Sequence, residues 1–147
     1  MTQNDVMNEL DVIIDEAKTA VLATADSSGN PHMRWMTPTL LKDRKYTIYA
    51  ITSKEFDKAG QLEENSTVEW MFQTPQLDRV VNVRGQINLM DNPSLRSEVL
   101  EAIGAKLTAF WKLKSDESNL LVLETVIDNA RYFKPMQGVH IDIDFSS

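Results

Sequence analysis

The chain has no cysteine, two histidines, and fewer basic residues than acidic ones, 15 against 22, for a formal net charge of −7. Without cysteine there is no disulfide, no thiolate metal site and no cysteine nucleophile. His32 and His140 lie far apart and outside any HExxH-type spacing, which argues against a zinc enzyme. The acidic excess argues against a general nucleic-acid or anionic-membrane binder, since both partners call for a basic face. No apolar run is long enough to span a bilayer, and the polar N-terminal stretch lacks a signal-peptide pattern, so a cytoplasmic protein without a membrane partner is expected. No GxGxxG or phosphate-loop motif occurs, and Ser27 and Ser28 have no nucleophile-elbow context. The acidic residues are scattered, so no paired-carboxylate site is readable. Little in the chain offers acid–base chemistry of its own.

What is present, over 147 residues, is enough for one domain spanning 1–147 with a real core. Val6, Leu10, Ile13 and Ala17 recur at helical spacing, predicting a helix over 3–18 started by Asn4 and Asp5. Ala20 to Ala25 and the run through Arg34 read as strands around a Ser27-Ser28-Gly29-Asn30-Pro31 turn, where Gly29 and Asn30 tolerate positive φ. Pro38 marks an edge, bulge or bend, and Lys42 to Lys45 forms a solvated turn before a strand over 46–51. Phe56, Ala59 and Leu62 predict a helix over 54–65. Val68, Trp70 and Phe72 then share one face of a strand. A long strand ends at Met90, with Gly85 marking a bulge or a close approach. Helices follow over 93–103, on a stripe of Leu95, Val99, Leu100 and Ile103, and over 107–111. Leu120 to Ile127 reads as a strand that Ala130 to Phe133 continues or follows with another, and 139–145 alternates as a half-buried strand or an arm added to an edge. Many short antiparallel strands with few helices, and no β-α alternation, predict a mainly β fold, a closed or partly open β-barrel with flanking α-helices.

A chain poor in catalytic side chains but able to gather cations and hydroxyls suits a cofactor that carries its own chemistry. Arg34, Thr52, Ser53 and Lys58 could hold a phosphate. Trp35, Met36, Thr37 and Ile51 could wall a flat amphipathic ring, through backbone groups as much as side chains.

Several features occur in a particular order: Leu22-Ala23-Thr24, Asp26, Gly29, Pro31-His32, Arg34, Met36, Thr52, Lys58, Leu62 and Asn65. The ordered set resembles the pyridoxamine 5′-phosphate oxidase-like, FMN-binding split-barrel superfamily, particularly its small general-stress-protein branch. The resemblance implies a six-stranded antiparallel split β-barrel, a homodimer, and FMN at the subunit interface serving a stress-related redox reaction on a small molecule. It assigns Arg34, Thr52 and Lys58 to the flavin phosphate and likens Trp111 to an aromatic that follows the late helix. Two positions depart from the oxidases proper, which carry Ser and Arg where this chain has Phe56 and Asp57. Phe56 cannot hydrogen-bond a phosphate and Asp57 repels one, and the arginine motif of the true oxidase is missing near the C-terminus. Pyridoxamine 5′-phosphate oxidase activity itself is therefore not expected. The departure leaves a second reading: a non-enzymatic barrel that binds deazaflavin or haem, or an interaction module.

Overall fold

A computed structural model describes residues 1–56, 61–106 and 119–145. Helix α1 spans Gln3–Ala17. Its cap is Thr2, two residues before the Asn4-Asp5 start predicted from sequence: the Thr2 hydroxyl accepts the Asp5 N–H (3.1 Å) and the Asp5 carboxylate accepts the Thr2 N–H (2.7 Å). This reciprocal box satisfies two orphan donors, a job for the residue outside the helix and the one three positions on. Val6, Leu10, Ile13 and Ile14 are buried on the helix face turned to the sheet.

The strands are β1 (Ala20–Ala25), β2 (Pro31–Met36), β3 (Thr47–Ser53), β4 (Thr67–Gln73), β5 (Val80–Met90), β6 (Leu120–Lys134) and β7 (Val139–Asp144). The short α2 (Gln61–Glu64) precedes β4, and α3 (Pro93–Lys106) follows β5. All strand pairings are antiparallel. The order is β2-β1-β4-β5-β6-β3, the six strands the resemblance implies, and β7 adds a seventh along β6. One edge of the 15-residue β6 is shared in turn: β3 takes residues 120–126 and β7 takes 129–134, while β5 runs along the other edge. Among the described residues the two ends of the path meet through Thr39, just beyond β2, and Tyr49 of β3, which exchange backbone hydrogen bonds of 2.8 and 2.9 Å. The sheet thus curls into a cylinder that closes at one bridge and stays open beside it.

Strand alternation sorts the core into two clusters. Leu22, Met36, Ile48, Ala50, Val68, Trp70, Phe72, Val81 and Val83 fill the barrel together with α1. Tyr49, Ile51 and Val122 face outward and are covered by Leu95, Val99, Leu100 and Ile103 of α3, the stripe read from the sequence. Between Arg84 and Gly85 the register with β6 shifts, so Asp128 opposes no β5 residue. A Cβ on Gly85 would lie 2.3 Å from the Val126 carbonyl oxygen, so the close approach is that of the neighbouring strand.

Two expectations change in detail. Of the helix predicted over 54–65, residues 54–56 form a turn and Gln61–Glu64 are helical, with 57–60 outside the described residues. In β7 only Ile143 and the following Phe145 are buried, whereas Val139 and Ile141 stay exposed on a strand that, among the described residues, pairs with β6 along one edge. The helix predicted over 107–111 lies outside the described residues.

Candidate functional site

The hairpin of β1 and β2 builds a small pocket at the open side of the barrel. Its turn is organised by Asp26, whose Oδ1 accepts the N–H groups of Ser28 and Asn30 at 2.9 Å each. Gly29 takes the positive φ (+83°) that the turn requires. The register then sets Thr24 opposite His32 and Leu22 opposite Arg34, four side chains on one face. Thr24, Ala25, Asp26, His32 and Arg34 line a pocket of about 310 Å³ whose far wall is Phe56 and Leu62.

Arg34 is half-buried. Its Nη1 donates to the Thr24 hydroxyl (2.9 Å), and its guanidinium carbon lies 5.1 Å from the centre of the Phe56 ring. Among the described residues no carboxylate pairs with it. Burial pulls its pKa below the ordinary arginine value, yet a guanidinium keeps its charge in any case. A half-buried cation with spare N–H groups directed at a pocket can hold a carboxylate or phosphate. Beside it, His32 Nε2 sits 3.0 Å from Asp26 Oδ2. The His32 hydrogen bond, and after it the Asn30 backbone N–H, hold the Asp26 carboxyl below the usual carboxylate range.

The residues singled out from sequence fall into three groups. Arg34, Met36 and, by alternation, Thr52 face the barrel interior, with Met36 buried one step below Arg34. Trp35 points the opposite way and is 70% exposed. Ile51 is buried under α3, Thr37 is buried just beyond β2, and Ser53 is exposed at the end of β3. Lys58 and Trp111 lie outside the described residues. His32 joins the site from the same face of β2 as Arg34, and Thr24 and Asp26 enter it through the hairpin register, which a two-strand count from the turn would have supplied.

The family model described as pyridoxamine 5′-phosphate oxidase matches residues 6–134, most of the chain. The chain belongs to the pyridoxamine 5′-phosphate oxidase-like family. General stress protein 26 of Bacillus subtilis is 31% identical over 147 residues, covering 98% of this chain and 99% of that protein. A protein related to general stress protein 26 from Clostridium acetobutylicum superposes with a TM-score of 0.71 at 14% identity, covering 99% of this chain and 97% of the other. A heme binding protein from Mycobacterium smegmatis superposes with a TM-score of 0.72 at 17% identity, covering 92% of this chain and 56% of the other. The last two likenesses are of fold, and they agree with a family architecture of antiparallel strands and flanking helices. Among the described residues no helix is long and apolar enough to cross a membrane, and no group of metal-ligating side chains assembles.

Proposed function

We propose that the protein binds FMN, with the phosphate held at Arg34, and acts as a flavin-dependent oxidoreductase on a small molecule rather than as pyridoxamine 5′-phosphate oxidase. The observation that carries this reading is the setting of Arg34. A half-buried guanidinium backed by the Phe56 ring and the Thr24 hydroxyl, with no acid among the described residues, suits a ligand that brings its own negative charge. Thr52, on the interior face of β3, and Lys58, by its place in the family order, complete the proposed phosphate set. The flavin would supply hydride and electron transfer, and the chain would bind and orient it.

A homodimer with the cofactor between subunits belongs to the same proposal. Val21 stands opposite both Trp35 and Met71, so these three side chains form one row on the outer face. Met33 beside them is 74% exposed. An aromatic and two methionines uncovered on one sheet face support a subunit contact.

Titration of the purified chain with FMN, followed by flavin fluorescence, tests the reading. Two lost charge-assisted contacts, each worth about 1.5–3 kcal/mol, should weaken binding in the Arg34→Ala, Lys58→Ala variant at least a hundredfold. Equal affinity in both proteins, or no binding by the unaltered chain at high micromolar flavin, refutes it. A second reading, a barrel that binds haem or deazaflavin without flavin chemistry, draws on Phe56 standing where the oxidases carry a phosphate-binding Ser. Retention of haem, read as a Soret band, with no uptake of FMN would favour it.

A further inference from the structure

We infer that His32 is a second cationic ligand in the Arg34 pocket, so that a phosphate monoester is gripped between the His32 imidazolium and the Arg34 guanidinium. The inference rests on the reading of Arg34 as a phosphate ligand and adds a residue that the family order leaves without a role.

The geometry is that of one strand. His32 and Arg34 are two positions apart on β2, so their side chains leave the same face about 6.6 Å apart, and both line the 310 Å³ pocket. An oxyanion in the pocket they share can accept from both. The exposed His32 ring is oriented by Asp26. Its Nε2 lies 3.0 Å from Asp26 Oδ2, and Asp26 is itself fixed by the Ser28 and Asn30 N–H groups. An ionised carboxylate only accepts, so Nε2 carries the proton shared with Asp26 and Nδ1 is the nitrogen left to meet a ligand. With Nδ1 protonated the ring donates to an oxyanion; with Nδ1 bare it presents a lone pair and repels one.

Among the described residues the charges facing the ring are few. Asp26 comes from the β1–β2 turn and Arg34 from β2 itself, Thr24 on β1 does not titrate, and the opposite wall is Phe56 and Leu62. Glu63 and Glu64 of α2 are exposed beside Leu62, and Glu55 precedes Phe56. Asp26 is held by His32 rather than by Arg34, and this separates the two cations: one is partly neutralised by its positioning acid, the other is left for the ligand.

The test uses the whole chain, unaltered and as His32→Gln, titrated with FMN and separately with inorganic phosphate at about pH 6 and pH 8, the range in which imidazoles change charge. FMN binding is read by fluorescence and phosphate binding by 1H–15N NMR shifts of the Arg34 side chain. His32→Gln should weaken both ligands about tenfold at the lower pH, with riboflavin, which lacks the phosphate, unaffected. The unaltered chain should lose affinity as pH rises, while the variant should not. Both ligands gain negative charge over this range, the monoester's second pKa being about 6 and inorganic phosphate's somewhat higher, so loss of affinity with rising pH cannot come from the ligand. Equal affinities and equal pH profiles in the two proteins overturn the inference while leaving Arg34 untouched. Binding of inorganic phosphate that depends on His32, without FMN binding, would uphold the pair and sink the flavin reading alone. If neither ligand shows any dependence on His32, the pair is refuted.

Discussion

Two partly buried arginines of this protein meet opposite surroundings. Arg79, at the entry to β5, reaches two carboxylates of α1: Nη1 lies 3.0 Å from Glu9 Oε2 and Nη2 lies 3.7 Å from Glu16 Oε1. Seven residues separate those acids, two turns of one helix face, so a single guanidinium clamps α1 to the sheet. Arg34 has a hydroxyl and an aromatic ring but, among the described residues, no acid. A guanidinium stays charged, and withdrawing it from water costs energy unless something compensates. At Arg79 the fold compensates internally. At Arg34 the compensation is left to whatever enters the pocket, which is what separates a binding arginine from a structural one.

Charge reversal breaks this contrast most directly. Arg34→Glu should abolish FMN binding, a loss beyond a hundredfold, while the melting temperature moves by no more than about 2 °C. Arg79→Glu should do the reverse. A third carboxylate placed between Glu9 and Glu16 costs about 2–3 kcal/mol, which lowers the melting temperature by roughly 5–10 °C and leaves FMN affinity within about twofold. Thermal melts and flavin titrations of both variants decide it. If the stability loss falls on Arg34→Glu instead, Arg34 is a structural residue and the pocket reading fails.

A smaller change sharpens the pocket side. Phe56 backs the Arg34 guanidinium and packs partly on the barrel core. At such a site a cation–π contact is worth about 0.5–1 kcal/mol, less than a hydroxyl donating to a phosphate, at about 1.5–3 kcal/mol. Phe56→Ser should therefore bind FMN roughly three- to tenfold more tightly while melting a few degrees lower, about 3 °C. Weaker binding would mean that the ring's main effect is to aim the guanidinium.

Much of this was legible in the sequence, for reasons that differ by region. The alternation in β4, where Val68, Trp70 and Phe72 are buried and their neighbours exposed, is a local pattern and reads directly. So does the α3 stripe, and Gly85 announced its bulge because no side chain fits against Val126 there. The cap of α1 slipped by one element of the motif, since Thr2 and Asp5 act as a pair and either alone looks like a start signal. The pocket was harder. Arg34 stood out as a cation on a strand and His32 shares its face two residues away, but Thr24 and Asp26 join them through the hairpin, whose register is set by the length of the turn. Phe56 looked only like an obstacle to phosphate binding. Its position under the guanidinium depends on how the segment after β3 folds back over the hairpin, and no periodicity encodes that.

The smallest expected effect concerns Asp26, which ties the pocket to its turn. Its carboxyl is held below the usual carboxylate range, first by the His32 hydrogen bond and then by the Asn30 backbone N–H. A carboxyl more acidic in the folded chain than in the unfolded one stabilises the fold above the unfolded value, about pH 4, and that contribution disappears as pH falls through the lower folded value. Asp26→Asn keeps an oxygen for the Ser28 and Asn30 N–H groups but cannot ionise. Asp5, Asp78 and Asp142 are depressed in the same way, so both proteins should weaken in acid, and the gap between them is the quantity that reports on Asp26. Thermal melts from neutral pH downward should show the unaltered chain modestly more stable at about pH 6, with the difference closing below about pH 4 as Asp26 takes up its proton. A gap that stays constant through the acid range would make Asp26 a turn-former alone. It would also deprive His32 of its charged partner and draw the Arg34 pocket closer to the self-contained arrangement at Arg79.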